Sequence, residues 1–244
     1  WDERRRTQIA PTGKLVTTTY LSPGYYNAKL VADGQIIKSQ PVYIPSNGFE
    51  VYAYEEGAED FHPLPFSFWQ LQDGSFSYRK EFSAYRKEHS VAQQQIVNLL
   101  PLPTVSPDSF TFHTQFLMPS PQNGDLCHGL GVSLAAEKEA YFFRLGKLGC
   151  SGRFTIFLGQ EEISGSTNDL STMGFATDSW IDLKITKRGQ QLSLRLNDKV
   201  MLVTKEAPDF GAFGGVRLFS QEPLSLRTLS FQDKNGSIDL LHKE

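Results

Sequence analysis

The chain has 244 residues and a formal net charge of −3 at pH 7. Aromatic residues make up 12% and charged residues 21% of it, which is typical of a soluble globular protein rich in strand-forming residues. The weak negative charge gives no reason to expect nucleic acid or an anionic membrane as a partner, and no run of about 18 uncharged apolar residues marks a transmembrane helix.

The first 54 residues contain strand-like stretches separated by turn sequences. In residues 17–37 (TTTYLSPGYYNAKLVADGQII) the turns are expected at Pro23-Gly24 and Asp33-Gly34, because proline presets φ and glycine accepts φ > 0. Strands are predicted near 14–20, at 25–31 and at 35–44, with a fourth candidate at 49–54. The segment is therefore interpreted as a small β module over residues 1–54.

This module resembles the polycystic-kidney-disease (PKD) domain, an immunoglobulin-like sandwich. The resemblance rests on Trp1-Asp2 followed by the pattern Tyr20-x-x-Pro23-Gly24-x-Tyr26-x-x-x-Leu30, although Glu3 and three arginines replace the family's Gly/Asp run. Such a sandwich needs about seven strands. We therefore expect the module to be truncated at its N-terminus, with the opening strands and a membrane anchor or signal upstream of Trp1.

A linker is predicted over residues 55–65. The stretch EEGAEDFHPLPF combines four acidic residues with Gly57 and two prolines and shows little periodic apolar character. Residues 66–238 are then expected to form a large sandwich. For the tail 239–244 two outcomes remain open, because SIDLLHKE fits either a last edge strand or a frayed end.

Alternating apolar and polar residues run through the large region. In Leu192-Ser193-Leu194-Arg195-Leu196 the leucines face one way and the polar residues the other, as in a half-buried antiparallel strand. The stretch 89–100 partly fits a helical face, but prolines follow at once, and a strand over 94–102 is favoured. The recurring alternation predicts an all-β antiparallel sandwich; it is clearest in residues 110–118, 153–159, 180–186, 191–197 and 225–232.

The large region resembles concanavalin A-like lectin/glucanase sandwiches, including laminin G-like members. The motifs that carry the resemblance are Trp180-Ile181-x-Leu183-x-Ile185, Gly189, Leu192-x-Leu194-x-Leu196-Asn197-Asp198 and Gly211-x-x-Gly214-Gly215-Val216-x-Leu218. The resemblance implies a jelly-roll fold that hosts lectins, hydrolases and plain spacers. Calcium is common in such lectins, but the sequence has no dense cluster of aspartates, so no cofactor or metal is predicted.

The two cysteines are expected to form a disulfide. If Ala135 faces Ala140 across the turn at 135–140, Cys127 and Cys150 lie nearly opposite each other on neighbouring strands, within disulfide reach. The alternative is a pair of buried free thiols. A disulfide implies an oxidising compartment, such as a periplasm or the surface of a bacterial cell.

Catalytic residues are not predicted. The glucanases of this fold carry an E-x-D-x-x-E signature that the sequence lacks, and the acidic stretches at 55–60 and 161–162 are interpreted as solvated surfaces. His113 falls on the polar phase of its strand, where an exposed or hydrogen-bonded imidazole is expected. The alternative of an enzyme stays open, because the fold can bring together carboxylates that are distant in the sequence.

Four residues are candidates for ligand binding. Trp69 could offer an aromatic platform, Asn168 and Asp169 could hydrogen-bond sugar hydroxyls, and His128 could line a site near Cys127. Three of them have a structural alternative: a core position for Trp69 and a turn or cap for Asn168 and Asp169.

The sequence thus favours an extracytoplasmic protein, in the periplasm or at the cell surface. Its sandwich is interpreted as a non-catalytic recognition or sensing domain for a glycan or another envelope component. A glycoside hydrolase-type enzyme on the same fold and a spacer without a small ligand are the two alternatives. Contact with a membrane is expected only through a segment outside this chain.

Overall fold

The computed structural model describes residues 24–32, 35–44, 49–58, 61–72, 74–99, 105–106, 108–120, 127–136, 140–209, 211 and 213–241. The strands are, in chain order, β1 (Gly24–Ala32), β2 (Gln35–Ile44), β3 (Glu50–Glu55), β4 (His62–Pro63), β5 (Trp69–Gln72), β6 (Ser75–Tyr78), β7 (Val91–Leu99), β8 (Ser109–Leu117), β9 (Gly129–Ala136), β10 (Ala140–Lys147), β11 (Thr155–Leu158), β12 (Glu161–Ser164), β13 (Gly174–Phe175), β14 (Trp180–Arg188), β15 (Gln191–Leu196), β16 (Lys199–Thr204), β17 (Phe213–Ser220), β18 (Ser225–Asp233) and β19 (Gly236–Asp239). One α-helix, α1 (Lys80–Glu88), and three short 3-10 turns, Phe66–Phe68, Ser151–Arg153 and Ser171–Met173, complete the described elements. Within these residues, no helix combines the length and the apolar character that crossing a bilayer requires.

Two large sheets form a β-sandwich, which confirms the predicted all-β fold class. Sheet I has the strand order β12-β11-β10-β9-β17-β7-β3-β4, with β13 beside β10, and sheet II has the order β16-β15-β14-β8-β18-β6-β5, with β19 beside β18. Apart from the parallel β10–β13 contact, neighbouring strands are antiparallel. Strands β1 and β2 pair with each other in a separate two-stranded ribbon.

The core lies between the two sheets, because strands of sheet II bury every second side chain. Along β8 the buried residues alternate strictly with half-buried ones, and β14 repeats the pattern until Arg188. Phe112 and Ile185 are cross-strand partners, and both are fully buried. This period of two is the property that the sequence displays, so the strands at 110–118, 180–186, 191–197 and 225–232 are confirmed.

The sandwich begins earlier in the chain than the sequence indicates. β3 pairs with β7 over Glu50–Glu55, and His62 of β4 pairs with Ala53. Residues 50–63, expected as the end of a module and a linker, therefore include two strands of sheet I. The acidic pair Glu55-Glu56 stands at the end of β3, where a strand gives way to a turn.

Three further predictions concern the strand over 94–102, the N-terminal strands and the C-terminal tail. The favoured strand over 94–102 is confirmed over 94–99 as part of β7, whereas residues 100–102 lie outside the described residues. The predicted strands at 25–31 and 35–44 are confirmed as the β1–β2 ribbon, whereas the strand near 14–20 and the Trp1-Asp2 element lie outside the described residues. The tail adds a short edge strand, since β19 pairs with β18.

Helix α1 is absent from the predictions. Its single fully buried residue, Phe82, gives too little apolar periodicity to detect, although Glu81 in the first turn and Arg86 and Lys87 in the last turn suit the helix dipole. The helix packs through aromatic rings: Phe82 stacks on Tyr78 with ring centroids 4.2 Å apart.

The β9–β10 hairpin has the predicted register, with Ala135 opposite Ala140. Cys127 and Cys150, beyond the two strand ends, are joined by a disulfide, and their Cα atoms are 5.5 Å apart. The bond closes the open end of this hairpin next to the buried His128.

Candidate ligand-binding face of sheet II

Trp69 lies in the core. Only 2% of its surface is exposed, and its ring packs against Phe49, Phe76 and Tyr78. Its indole Nε1 is buried and has no hydrogen-bond partner among the described residues. The residue therefore offers no exposed platform to a ligand, because strand β5 turns its ring towards the interior.

The other three candidates do not form a shared exposed site. His128 is 7% exposed, with its Nδ1 atom 3.6 Å from Oε1 of Glu222. Asn168 and Asp169 are exposed, but Nδ2 of Asn168 donates to the carbonyl oxygen of Ser164 and Oδ1 of Asp169 accepts from the backbone N–H of Ser171. These two side chains stabilise the local turn, which is the structural alternative that the sequence leaves open.

The outer face of sheet II brings together polar side chains that the sequence places far apart. Residues of β14 lie opposite residues of β8: Asp182 faces Gln115, Lys184 faces His113, and Thr186 faces Thr111. We call the set the polar strip; including the outward residues of the flanking strands it comprises Thr111, His113, Gln115, Asp182, Lys184, Thr186, Ser193, Arg195, Ser230 and Gln232.

Asp182 is the centre of the strip. Its Oδ2 atom accepts hydrogen bonds from Nε2 of His113 at 2.7 Å and from Nε2 of Gln115 at 3.1 Å. Its Oδ1 atom lies 3.1 Å from Nζ of Lys184. One carboxylate thus fixes the orientation of three side chains on two neighbouring strands, while the His113 and Asp182 side chains keep 27% and 22% of their surface exposed.

The charges of the strip follow from these contacts. Partial burial acts to raise the pKa of Asp182, but the hydrogen bonds from His113, Gln115 and Lys184 outweigh it and hold the pKa below the usual value. The hydrogen bond to Asp182 in turn raises the pKa of Lys184. An ionised carboxylate can only accept, so Nε2 of His113 is assigned as the donor.

A tight turn fixes the backbone beneath the carboxylate. Asn197 and Asp198 connect β15 to β16 with φ values of 46° and 64°, the left-handed conformation that short hairpin turns require. Oδ1 of Asn197 accepts from the backbone N–H of Asp182 at 2.9 Å, and the N–H of Asn197 donates to the carbonyl oxygen of Asp182 at 2.8 Å. This turn therefore anchors Asp182 from the adjacent strand.

An aromatic ring lies at one end of the strip. Trp180 opens β14 on the same face as Asp182 and is half-buried. The guanidinium carbon of Arg227 lies 4.0 Å from the centroid of its ring. Arg227 thus packs on one face of the Trp180 ring, and the ring places an aromatic surface next to the hydrogen-bonding groups of the strip.

A cavity of about 520 Å³ at one end of the sandwich is a weaker candidate. The carboxylates of Asp108, Glu206 and Asp209 surround it, and Lys187, which is 3% exposed, lines it. No aromatic side chain is among the described residues that line it. The polar strip, in contrast, combines oriented hydrogen-bonding groups with an aromatic ring.

The sequence does not reveal the strip. Its residues appear only as the polar positions in several separate stretches of alternating apolar and polar residues. Asp182 and His113 are 69 positions apart, and nothing local shows that their strands are neighbours. The one available signal is the concentration of Gln, His, Asp and Lys, rather than Ser and Thr alone, on the polar phases of β8 and β14.

No protein-family model and no curated protein matches the chain. Among solved structures, the chain is similar to a carbohydrate-binding module, CBM66 from Bacillus subtilis (TM-score 0.42, 11% identity, 68% of this chain and 91% of that chain covered). It is also similar to an alginate lyase from Corynebacterium sp. (0.41, 9%, 75% and 93%) and to the metal-free carbohydrate recognition domain of Emp46p (0.41, 12%, 68% and 88%). At these scores and identities the similarity carries no argument about function.

Proposed function

We propose that the protein binds a saccharide, without transforming it, on the outer face of sheet II. The observation that carries the proposal is the Asp182 network, which holds His113, Gln115 and Lys184 in fixed positions on an open face. Sugar hydroxyls are recognised by paired donors and acceptors, and prior orientation of these groups lowers the entropy cost of binding. Trp180 adds a ring for stacking at the same face.

The arrangement of the strip in rows favours an extended saccharide over a small buried molecule. Arg195, Lys184, His113 and Ser230 are successive cross-strand partners from β15 through β14 and β8 to β18, on one side of the register shift between Leu226 and Thr228, so the polar side chains form rows across four strands. Several sugar units can lie along such rows, each with a few hydrogen bonds. A binding role also suits Asp182, because three donors keep it ionised and a general acid would need a raised pKa.

We also propose an extracytoplasmic location for this function. The disulfide between Cys127 and Cys150 supports it, since such bonds persist in oxidising compartments. The PKD-like module, a glycan of the cell envelope as ligand and a cell-surface role remain proposals based on the sequence. Mass spectrometry of the protein, isolated from its native cell under alkylating conditions, tests the extracytoplasmic location. Alkylation of both Cys127 and Cys150 would show that the thiols are reduced in the cell and would contradict this location.

A binding assay tests the proposed function. The full chain is titrated with a panel of neutral and acidic polysaccharides by affinity electrophoresis, and the variants Gln115→Ala and Trp180→Ala are compared with Asn168→Ala as a control on the 165–170 loop. We expect each strip variant to weaken binding about tenfold, because each removes an interaction worth about 1 to 2 kcal/mol. Equal binding by all variants, or stronger loss with Asn168→Ala, would contradict a site on sheet II.

A further inference from the structure

A row of basic side chains crosses the polar strip. Arg195 of β15 lies opposite Lys184 of β14, and Lys184 lies opposite His113 of β8. Directly opposite side chains in antiparallel strands have Cβ atoms about 4.5–5.5 Å apart, and like charges at that distance destabilise the sheet. Arg195 and Lys184 are thus two positively charged side chains on directly opposite positions, and a negative group beside each of them would stabilise the sheet.

Asp182 of the strip and Asp198 of the neighbouring turn compensate Lys184 but not Arg195. Nζ of Lys184 lies 3.1 Å from Oδ1 of Asp182 and 3.7 Å from Oδ1 of Asp198. Arg195 is exposed and makes no hydrogen bond or ion pair with any residue that the structure describes. Its guanidinium is thus free to bind a ligand from outside the protein.

The charge of this face also differs from that of the whole chain. The basic side chains on this face, Lys184, Arg188, Arg195 and Arg227, outnumber its carboxylates, Asp182, Asp198 and Asp239, although the chain as a whole carries a net charge of −3. Two of these carboxylates, Asp182 and Asp198, are moreover engaged with Lys184. A local positive surplus on a negative protein favours a ligand with negative charge.

We propose that the saccharide bound by the strip carries an anionic group, a carboxylate or a sulfate, and that Arg195 binds this group with Lys184 beside it. The inference rests on the proposed function and specifies the class of its ligand. The fork of an arginine matches the geometry of both anions, whereas neutral hydroxyls would leave the charge of Arg195 uncompensated. The Trp180 ring would stack on a neighbouring sugar unit.

The test compares three polymers with the full chain: a neutral glucan, a polyuronate and a sulfated glucan. Affinities are measured by titration calorimetry at low and at high salt. We expect one of the two acidic polymers to bind at least about tenfold more tightly than the neutral glucan at low salt, and this preference to shrink at high salt. The acidic polymer that binds more tightly identifies the anion as a carboxylate or a sulfate.

Three variants assign the preference to Arg195. Arg195→Gln is expected to lower affinity for the acidic polymer about tenfold without changing affinity for the neutral one, and Arg195→Lys to retain part of the preference. The matched control is Arg144→Gln, which removes an exposed arginine from β10 of sheet I and should change nothing. Equal losses of affinity for the acidic polymer in Arg195→Gln and Arg144→Gln would overturn the inference. They would show that the polymer responds to the overall charge of the protein and not to a site at Arg195.

The remaining outcomes separate the inference from the proposed function. Tight binding of the neutral glucan, with no preference for an acidic polymer and no effect of Arg195→Gln, would overturn the inference and leave the proposed function standing. Failure of all three polymers and of the wider saccharide panel to bind would overturn both.

Discussion

The two outer faces of the sandwich differ in what they bury. On sheet II most outward side chains of β8 and β14 are polar and half-buried, and Asp182 connects His113, Gln115 and Lys184 among them. On sheet I, Tyr52 and Val97 are 4% and 0% exposed and form, with Phe61, an apolar cluster separate from the main core. One face is thus a second packing surface, while the other keeps hydrogen-bonding groups available to a ligand.

The aromatic residues further along sheet I extend this contrast. Phe142 of β10 lies 6.0 Å from Phe157 and 6.2 Å from Phe219, measured between ring centroids. Gly131 sits beneath them, and a Cβ atom there would come within 3.2 Å of the Phe219 Cβ. Shape and apolar contact therefore organise sheet I, whereas charge and hydrogen bonding organise sheet II.

The largest expected effect is the loss of stability when a polar group enters the sheet I cluster. Val97→Asn should lower the free energy of unfolding by about 2 to 3 kcal/mol, because it removes buried methyl groups and buries an amide. Thr111→Asn, at a half-buried outward position of sheet II, should change it by less than about 0.5 kcal/mol. Urea unfolding measures both, and equal effects would remove the distinction between the faces.

Removal of the Asp182 carboxylate should cost less stability but affect binding strongly. Asp182→Ala is expected to lower the free energy of unfolding by about 1 kcal/mol, since the three contacts it breaks are partly solvent-screened. Saccharide affinity should fall about tenfold or more, because His113, Gln115 and Lys184 lose their common anchor. Normal affinity in this variant would show that the strip does not need its central carboxylate.

The pH dependence of stability isolates the same carboxylate. The pKa of Asp182 in the folded chain lies below the usual value, so its contribution is complete above about pH 4 and is lost as the pH falls through the lowered pKa. The stability difference between the wild type and Asp182→Asn should therefore be largest at neutral pH and shrink in acid. Urea unfolding from pH 7 to about pH 2 measures it; a constant difference would contradict the assignment of the network to the ionised form.

The smallest effects are expected in the 165–170 loop, which contains two of the four ligand-binding candidates from the sequence. Asp169→Ala removes an exposed hydrogen bond to the backbone of Ser171 and should leave the free energy of unfolding nearly unchanged. It should leave saccharide affinity unchanged. Affinity electrophoresis measures the affinity, and urea unfolding measures the stability. A tenfold loss of affinity would indicate that the ligand binds at this loop.

Local patterns account for much of the fold and for little of the site. The alternation in β8 and β14 predicts two strands and their buried faces, and the turn between β9 and β10 predicts their register. The pairing of β8 with β14 and β18 depends on packing of the whole chain. The Asp182 network is built on that pairing, so no single segment displays it.

Trp69 shows why candidate residues can be misplaced. A tryptophan beside a polar QDG turn fits both an exposed platform and a core residue, and the choice depends on which side of β5 faces the interior. Phe49 precedes β3 of the other sheet, and its ring centroid lies 5.9 Å from that of Trp69. This contact accompanies the inward orientation of Trp69. It cannot be predicted when residues 49–54 are assigned to a separate module.

Chemical-shift mapping tests the central claim most directly. Amide spectra of the isotopically labelled chain are recorded during titration with an oligosaccharide of the polymer that binds. We predict that the shifts concentrate on β8, β14, β15 and β18, with His113, Gln115, Asp182 and Arg195 among the most affected. Shifts confined to the outer face of sheet I, to the 165–170 loop or to the cavity at Asp108 and Lys187 would contradict a ligand-binding face on sheet II.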